Sequence, residues 1–274
     1  MKKILIAAFI LPAMLATAQE HQLVKKWETD TLLKVPESVL YDAENRLLYV
    51  TNIDGQPWEK DGKGSVGKVG LDGKIITVDW VSGLQAPKGL GLYKNNLCVA
   101  DVDKVAIIDI KKGAITQTIP IEGAQGLNDL TVDKKGVIYV SDSKTKKIHR
   151  IENGQVTTFL ENLKGPNGVL IDDNDLYILD AGTLYKVEKD KTLTKLADGM
   201  EGGTDGVEHV TGKDYIVSCW GGVIYYVNGN GTKQVLQDTR EQKMNTADIG
   251  YDAKNRIVYV PTFWKNKIVA YELK

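Results

Sequence analysis

Apolar and polar positions alternate along most of the chain in short runs, and the runs recur. Six segments share one pattern: a polar residue, an apolar stretch often ending in Asp, a turn, then a strand rich in β-branched and aromatic residues. They read VPESVLYDAENRLLYVTN, APKGLGLYKNNLCVAD, GLNDLTVDKKGVIYVSD, GPNGVLIDDNDLYILD, GTDGVEHVTGKDYIVSC and NTADIGYDAKNRIVYVPT. A period of two with these residue types predicts strands, and no long stretch carries the helical period. The turns AEN, KNN, KKG, DND, GKD and AKN have the Asn, Asp and Gly chemistry of tight hairpins.

Alignment of the six places Glu37, Lys88, Asn128, Asn167, Asp205 and Ala247 at equivalent positions, with steps of 51, 40, 39, 38 and 42 residues. A period near forty with several short strands per unit is the mark of a β-propeller. Weaker third and fourth strands follow each pair, as in KIHRIEN with QVTTFLE and VIYYVNG with KQVLQD. After the sixth pair, KIVAYELK supplies a third strand and the chain stops, while HQLVKKWET near the start has strand character. The expected fold is therefore all-β, a six-bladed propeller closed by the N-terminal strand, which hides an edge that would otherwise invite aggregation.

The first 18 residues change the picture of where this domain works. Lys2 and Lys3 precede an apolar run from Ile4 to Leu15, and Ala16-Thr17-Ala18 supplies a small-residue cleavage pattern, the layout of an export signal. The run is too short to span a bilayer, and no cysteine stands near the cleavage point to take a lipid anchor. The expectation is a signal peptide over 1–18, a mature propeller over 19–274, and a periplasmic or secreted product with no membrane anchor. Formal charge is -1, from 35 basic and 36 acidic residues that are interspersed, so neither a nucleic-acid groove nor an anionic-membrane patch is expected. The partner is then a small molecule or a modest protein surface. Cys98 and Cys219 lie far apart in the repeat order and are expected as unpaired thiols.

Chemistry concentrates at the repeat starts. Innermost propeller strands run along a central channel, so Glu37, Lys88, Asn128, Asn167, Asp205 and Ala247 should ring one of its mouths. Gly89, Gly168 and Gly206 follow three of these positions and permit close approach; Asp129 and Asp248 could turn toward the same space. Glu37, Asn167 and Asp205 offer two carboxylates and an amide carbonyl, hard oxygen donors suited to Ca²⁺, Mg²⁺ or Mn²⁺, with Zn²⁺ an alternative. On spacing alone the same residues serve equally to cap strands and bind channel water. The histidines His21, His149 and His209 have no metal-ligand spacing. A long loop from Ile53 to Ser65 carries Trp58, and Trp220 and the Phe263-Trp264 pair occupy matching places in later blades. These aromatics either stack on a flat ligand or pack between blades. No G-x-S-x-G elbow and no phosphate-binding loop is present.

The strings PES, LND, GPNG and TDG, in this order and spacing over essentially the whole mature chain, resemble the senescence-marker-protein, gluconolactonase and luciferin-regenerating-enzyme family. The resemblance implies a six-bladed propeller with one divalent cation on its axis, Ca²⁺ first among the candidates. It implies Glu37, Asn167 and Asp205 as metal ligands and Asn128 as a substrate-binding residue. Hydrolysis of a lactone or related ester, with a sugar lactone as the natural substrate class, is the activity it implies. Asp205 is then either a ligand alone or also the proton acceptor. Ser38 and Val39 stand where the family more often has Gly-Pro, and Gly126 stands where some sugar lactonases carry an Arg. Lys88 adds a cation to the ring, and with Trp220 it completes the candidate substrate-binding set. The alternative is a non-catalytic exported propeller that binds a small ligand or a protein.

Overall fold

The computed structural model describes residues 20–274; the segment read as an export signal lies outside them. Six four-stranded antiparallel sheets form the ring. Their innermost strands are Pro36–Asp42, Pro87–Tyr93, Leu127–Val132, Pro166–Asp172, Thr204–Thr211 and Gly250–Asp252. The sixth sheet is completed from the other end of the chain: Leu23–Glu28 pairs with Ile268–Leu273 as the outermost strand. Closure is thus the expected one.

Turn chemistry explains the hairpins. In the AEN and AKN turns of the first and sixth blades, Asp42 and Asp252 each accept a hydrogen bond from an Asn side chain, Asn45 and Asn255, at 2.7 Å. Arg46 and Arg256 then adopt φ of 55° and 56°. The apolar faces pack blade on blade. Val39, Leu48 and Val50 of the first blade, for example, meet Tyr259, Ile268 and Ala270 of the last. Cys98 and Cys219 are free and buried, as expected, and burial pushes both thiols up to about 12, which leaves them inert at neutral pH. Among the described residues no helix is long and apolar enough to cross a membrane.

Candidate axial site

One irregularity, repeated five times, builds the mouth of the channel. In the first blade Pro36 pairs with Asn52 and Val39 with Val50, so Glu37 and Ser38 together oppose Thr51. The same two-against-one bulge carries Lys88 and Gly89, Asn128 and Asp129, Asn167 and Gly168, and Asp205 and Gly206. A bulge re-aims side chains at a sheet edge, and here it falls on the repeat-start residue of every blade from the first to the fifth. Hydroxyls on the second strands hold three of these bulges. Thr51, Ser141 and Ser218 accept the backbone N–H groups of Ser38, Asp129 and Gly206 at 2.9, 3.0 and 2.9 Å. Gly89 and Gly206 are needed for close approach, because a Cβ would fall 2.5 Å from the Asp129 Cα and 2.4 Å from Asp248 Oδ1.

The sixth blade departs from the pattern. Ala247 N–H still donates to Pro261 O of its own sheet at 3.0 Å, but Asp248 pairs in parallel with the first blade: its N–H donates to Glu37 O at 3.0 Å and its O accepts the Val39 N–H at 3.3 Å. Ala247 is fully buried, packed with Ile53, Ala86, Val102 and Phe263, and so closes the ring without a polar group.

Glu37, Lys88, Asn128, Asn167 and Asp205 line one cavity of about 300 Å³, walled by Pro57, Trp58, Trp220 and Phe263. All five polar residues expected at the mouth are therefore brought together, with Trp220 beside them. Asn167 Nδ2 donates to Asp205 Oδ1 at 2.8 Å, and Lys88 Nζ lies 3.5 Å from Glu37 Oε1 with both side chains almost wholly enclosed. Two oxygens of its wall lack a partner: Glu37 Oε2 and Asn167 Oδ1 are buried and accept no hydrogen bond. A cavity of similar volume between the fourth and fifth blades, lined by Asp172, Asp175, Lys186 and Tyr215, has no orphaned atom in its wall, whereas one lined by Thr145 and His149 has two, Thr145 Oγ1 and His149 Nε2, neither of them a carboxylate or amide oxygen.

Orphaned buried oxygens cost stability unless a water, an ion or a ligand satisfies them. Two carboxylates and an amide oxygen form a hard donor set that fits a divalent cation. Clusters of three or more His, Cys, Asp or Glu side chains arranged for a metal are absent among the described residues, so the amide oxygen is essential to such a set. Lys88 is the counter-argument in the geometry, since its ammonium already neutralises part of Glu37.

The acids of the axis are hard to ionise as they stand. Burial raises the Glu37 carboxyl above its ordinary range, against the pull of Lys88. Burial, then the charges of Glu37 and Asp248, hold Asp205 well above its range. Asp129 and Asp248 are raised likewise by burial and by their neighbours' charge. Both have partners: Asp129 Oδ2 accepts the Val169 N–H at 2.7 Å, and Asp248 Oδ2 accepts the Ser38 hydroxyl at 2.6 Å. A divalent cation is the natural offset for this accumulation of acid groups.

Asn128 can be oriented by counting protons. The Ser143 hydroxyl donates its single hydrogen to Pro166 O at 2.7 Å, so toward Asn128 it can only accept. Asn128 Nδ2 faces it at 3.1 Å, which leaves Oδ1 as the acceptor available to a ligand. Ser143 had no signal in the sequence, since it sits in a turn that reads only as polar. The aromatics divide between the two expected roles. Phe263 is buried and stands edge-on between Trp220 and Trp264, at centroid distances of 5.5 and 4.8 Å. Trp220 is 41% exposed and Trp264 46%, so these two present faces to the solvent side.

No family model matches the chain, and no curated protein matches it. Solved structures do. A streptogramin B lyase superposes with a TM-score of 0.67 at 10% identity, covering 93% of this chain and 98% of that one. A gluconolactonase-like protein gives 0.68 at 12% identity, covering 93% and 92%. A catalytically inactive virginiamycin B lyase from Staphylococcus aureus, solved with quinupristin, gives 0.64 at 14% identity, covering 92% and 99%. At these identities the likeness is one of fold: the propeller architecture is shared with proteins of more than one activity.

Proposed function

We propose that this protein is an exported, divalent-metal-dependent hydrolase of a lactone or related ester. The observation that carries the reading is the pair of orphaned oxygens, Glu37 Oε2 and Asn167 Oδ1, sharing one enclosed cavity with Asp205. Glu37, Asn167 and Asp205 would hold the cation. When bound, such a cation polarises a carbonyl and makes water more acidic. Asn128 Oδ1 accepts a hydrogen bond from a substrate hydroxyl or from the attacking water. Asp205, ionised once the cation offsets its acidic neighbours, would take the proton as the water oxygen bonds to the carbonyl carbon. The acyl C–O bond breaks and the departing alkoxide takes that proton from Asp205. Lys88, close to Glu37, is placed to offset negative charge gathering on the carbonyl oxygen, while Trp58 and Trp220 wall the substrate. The N-terminal segment supports export to the periplasm or beyond.

A second reading is a non-catalytic propeller that binds a small ligand. The ion pair of Lys88 with Glu37 at 3.5 Å favours it, because an internal cation there reduces the need for a metal. Lactone and ester panels followed by proton release, with and without Ca²⁺, separate the two. Hydrolysis by the wild type that falls by about 10²-fold or more in Asp205→Asn supports the enzyme. Ligand binding without turnover, unchanged by Ca²⁺ or chelator, supports the scaffold.

A further inference from the structure

Lys88 is presented to the axis by the bulge of the second blade, where it stands with Gly89 between the paired residues Pro87 and Leu90. Its side chain is almost wholly enclosed, and its one ion pair among the described residues is with Glu37. Trp58, carried by the long loop of the first blade, sets its ring against the ammonium, with the centroid 4.5 Å from Nζ. The same charge reaches Asp205, pulling its carboxyl down against burial and against the charges of Glu37 and Asp248. One internal cation therefore acts on both carboxylates of the donor set.

The pair with Glu37 is a loose one. Nζ stands 3.5 Å from Oε1, whereas a charge-assisted N–H···O contact closes to about 2.7–2.9 Å. It also leaves Glu37 Oε2 with no partner at all. An enclosed pair of that quality recovers little of what both charges lost on leaving water. A divalent cation held by Glu37, Asp205 and Asn167 Oδ1 would supply what the lysine does not. It would meet the ammonium at the same carboxylate, and like charges so placed repel. Asp129 and Asp248 add two further acid groups to the axis, so overall charge does not bar two cations from the channel. The contest is for Glu37 itself.

We infer that Lys88 sets the metal affinity of the axial site by competing for Glu37: its ammonium holds the carboxylate in the metal-free chain, and metal entry displaces it. This rests on the reading of Glu37, Asn167 and Asp205 as a cation site, but not on hydrolysis. The test is calorimetric titration of chelator-stripped protein with Ca²⁺, Mn²⁺ and Zn²⁺. Lys88→Met, which keeps the length of the side chain and loses its charge, should bind the preferred cation about 10-fold more tightly than the wild type. Lys88→Arg keeps the charge and should bind no more tightly than the wild type. The double variant Glu37→Gln with Lys88→Met should lose the gain, which places it at Glu37. Thermal melts read the same contest without turnover: added metal should raise the melting temperature of Lys88→Met more than that of the wild type. Lys88→Gln repeats the comparison if the methionine variant fails to fold. Affinity equal to or weaker than that of the wild type in the folded uncharged variant overturns the inference and leaves the metal site standing. A wild type that binds no metal, beside an uncharged variant that does, supports the competition and sinks the metal-dependent hydrolase. Binding in neither overturns both.

Discussion

Asp142 and Asp205 are both carboxylates enclosed at the same end of the propeller, and their surroundings treat them in opposite ways. Asp142 ends a second strand, one layer out from the axis. Its oxygens accept the N–H groups of Gln125, Lys144 and Thr145 at 2.9 to 3.1 Å. Burial pushes its carboxyl up, but those donors and the His149 ring hold it well below the ordinary range. The ring lies 3.9 Å away, beyond hydrogen-bond reach, so the N–H donors carry the effect. Asp205 begins an inner strand and receives one side-chain donor, from Asn167, with its carboxyl well above the ordinary range. Asp180 repeats the Asp142 pattern, accepting from Lys164 and Gly165. Asp142 and Asp180 are thus satisfied by backbone donors of their own blades, whereas Glu37 Oε2 and Asn167 Oδ1 of the inner ring accept no hydrogen bond from the chain.

The sharpest way to break this contrast is to neutralise one member of each layer. Asp142→Ala should cost about 2 kcal/mol of unfolding free energy, because three partly buried N–H groups lose a shared ionised acceptor. Chemical denaturation measures it. Asp205→Asn, measured in chelator at neutral pH, should instead leave stability unchanged or raise it by about 1 kcal/mol, since it removes an ionisation that the fold opposes. A loss as large as that of Asp142→Ala would mean that Asp205 is structural.

A pH-dependent effect is expected on the inner strands as well. Glu208, half-buried on the fifth inner strand, is raised to about 8 by burial, against the pull of the Tyr251 N–H. Its folded-state pKa lies above its unfolded value, so the folded state holds the proton longer. Its contribution to stability is fully present below about pH 4.3 and is lost as pH rises through about 8. Glu208→Gln should therefore match the wild type in acid and melt at a higher temperature than the wild type near pH 8. Thermal melts across that window read the difference, and identical curves at both ends would contradict the shift.

The smallest expected change in stability is at the rim. Trp220→Ala should alter unfolding free energy by no more than about 0.5 kcal/mol, because a large part of the ring is already exposed. It should nonetheless weaken binding of a flat-ringed ligand several-fold. Equal ligand affinity in the variant would remove Trp220 from the substrate wall.

How much of this is legible in the sequence differs between the two layers as well. The period near forty and the Asn-rich turns led to six blades, and the strand character of HQLVKKWET led to the closing strand, because repetition and turn chemistry are local properties of sequence. The ring positions of Glu37, Lys88, Asn128, Asn167 and Asp205 followed from the same period. The bulges under them did not, since a bulge is a relation between two strands and needs the register of both. The acceptor role of Asp142 was also hidden, because Gln125 lies 17 residues away in the chain. So was the meeting of Lys88 with Trp58, brought together by a bulge in one blade and a long loop in another. The orphaned oxygens are the extreme case: which polar atoms are left without a partner depends on every neighbour the fold brings near them.

Metal content is the measurement that bears most directly on the inner ring. Purified protein equilibrated with Ca²⁺, Mn²⁺ or Zn²⁺ and analysed for bound metal should retain about one divalent cation per chain, and Glu37→Ala, treated identically, should retain none. A wild type that retains no cation from any of the three, while remaining folded, would contradict the account and leave Lys88 as the only cation of the axis.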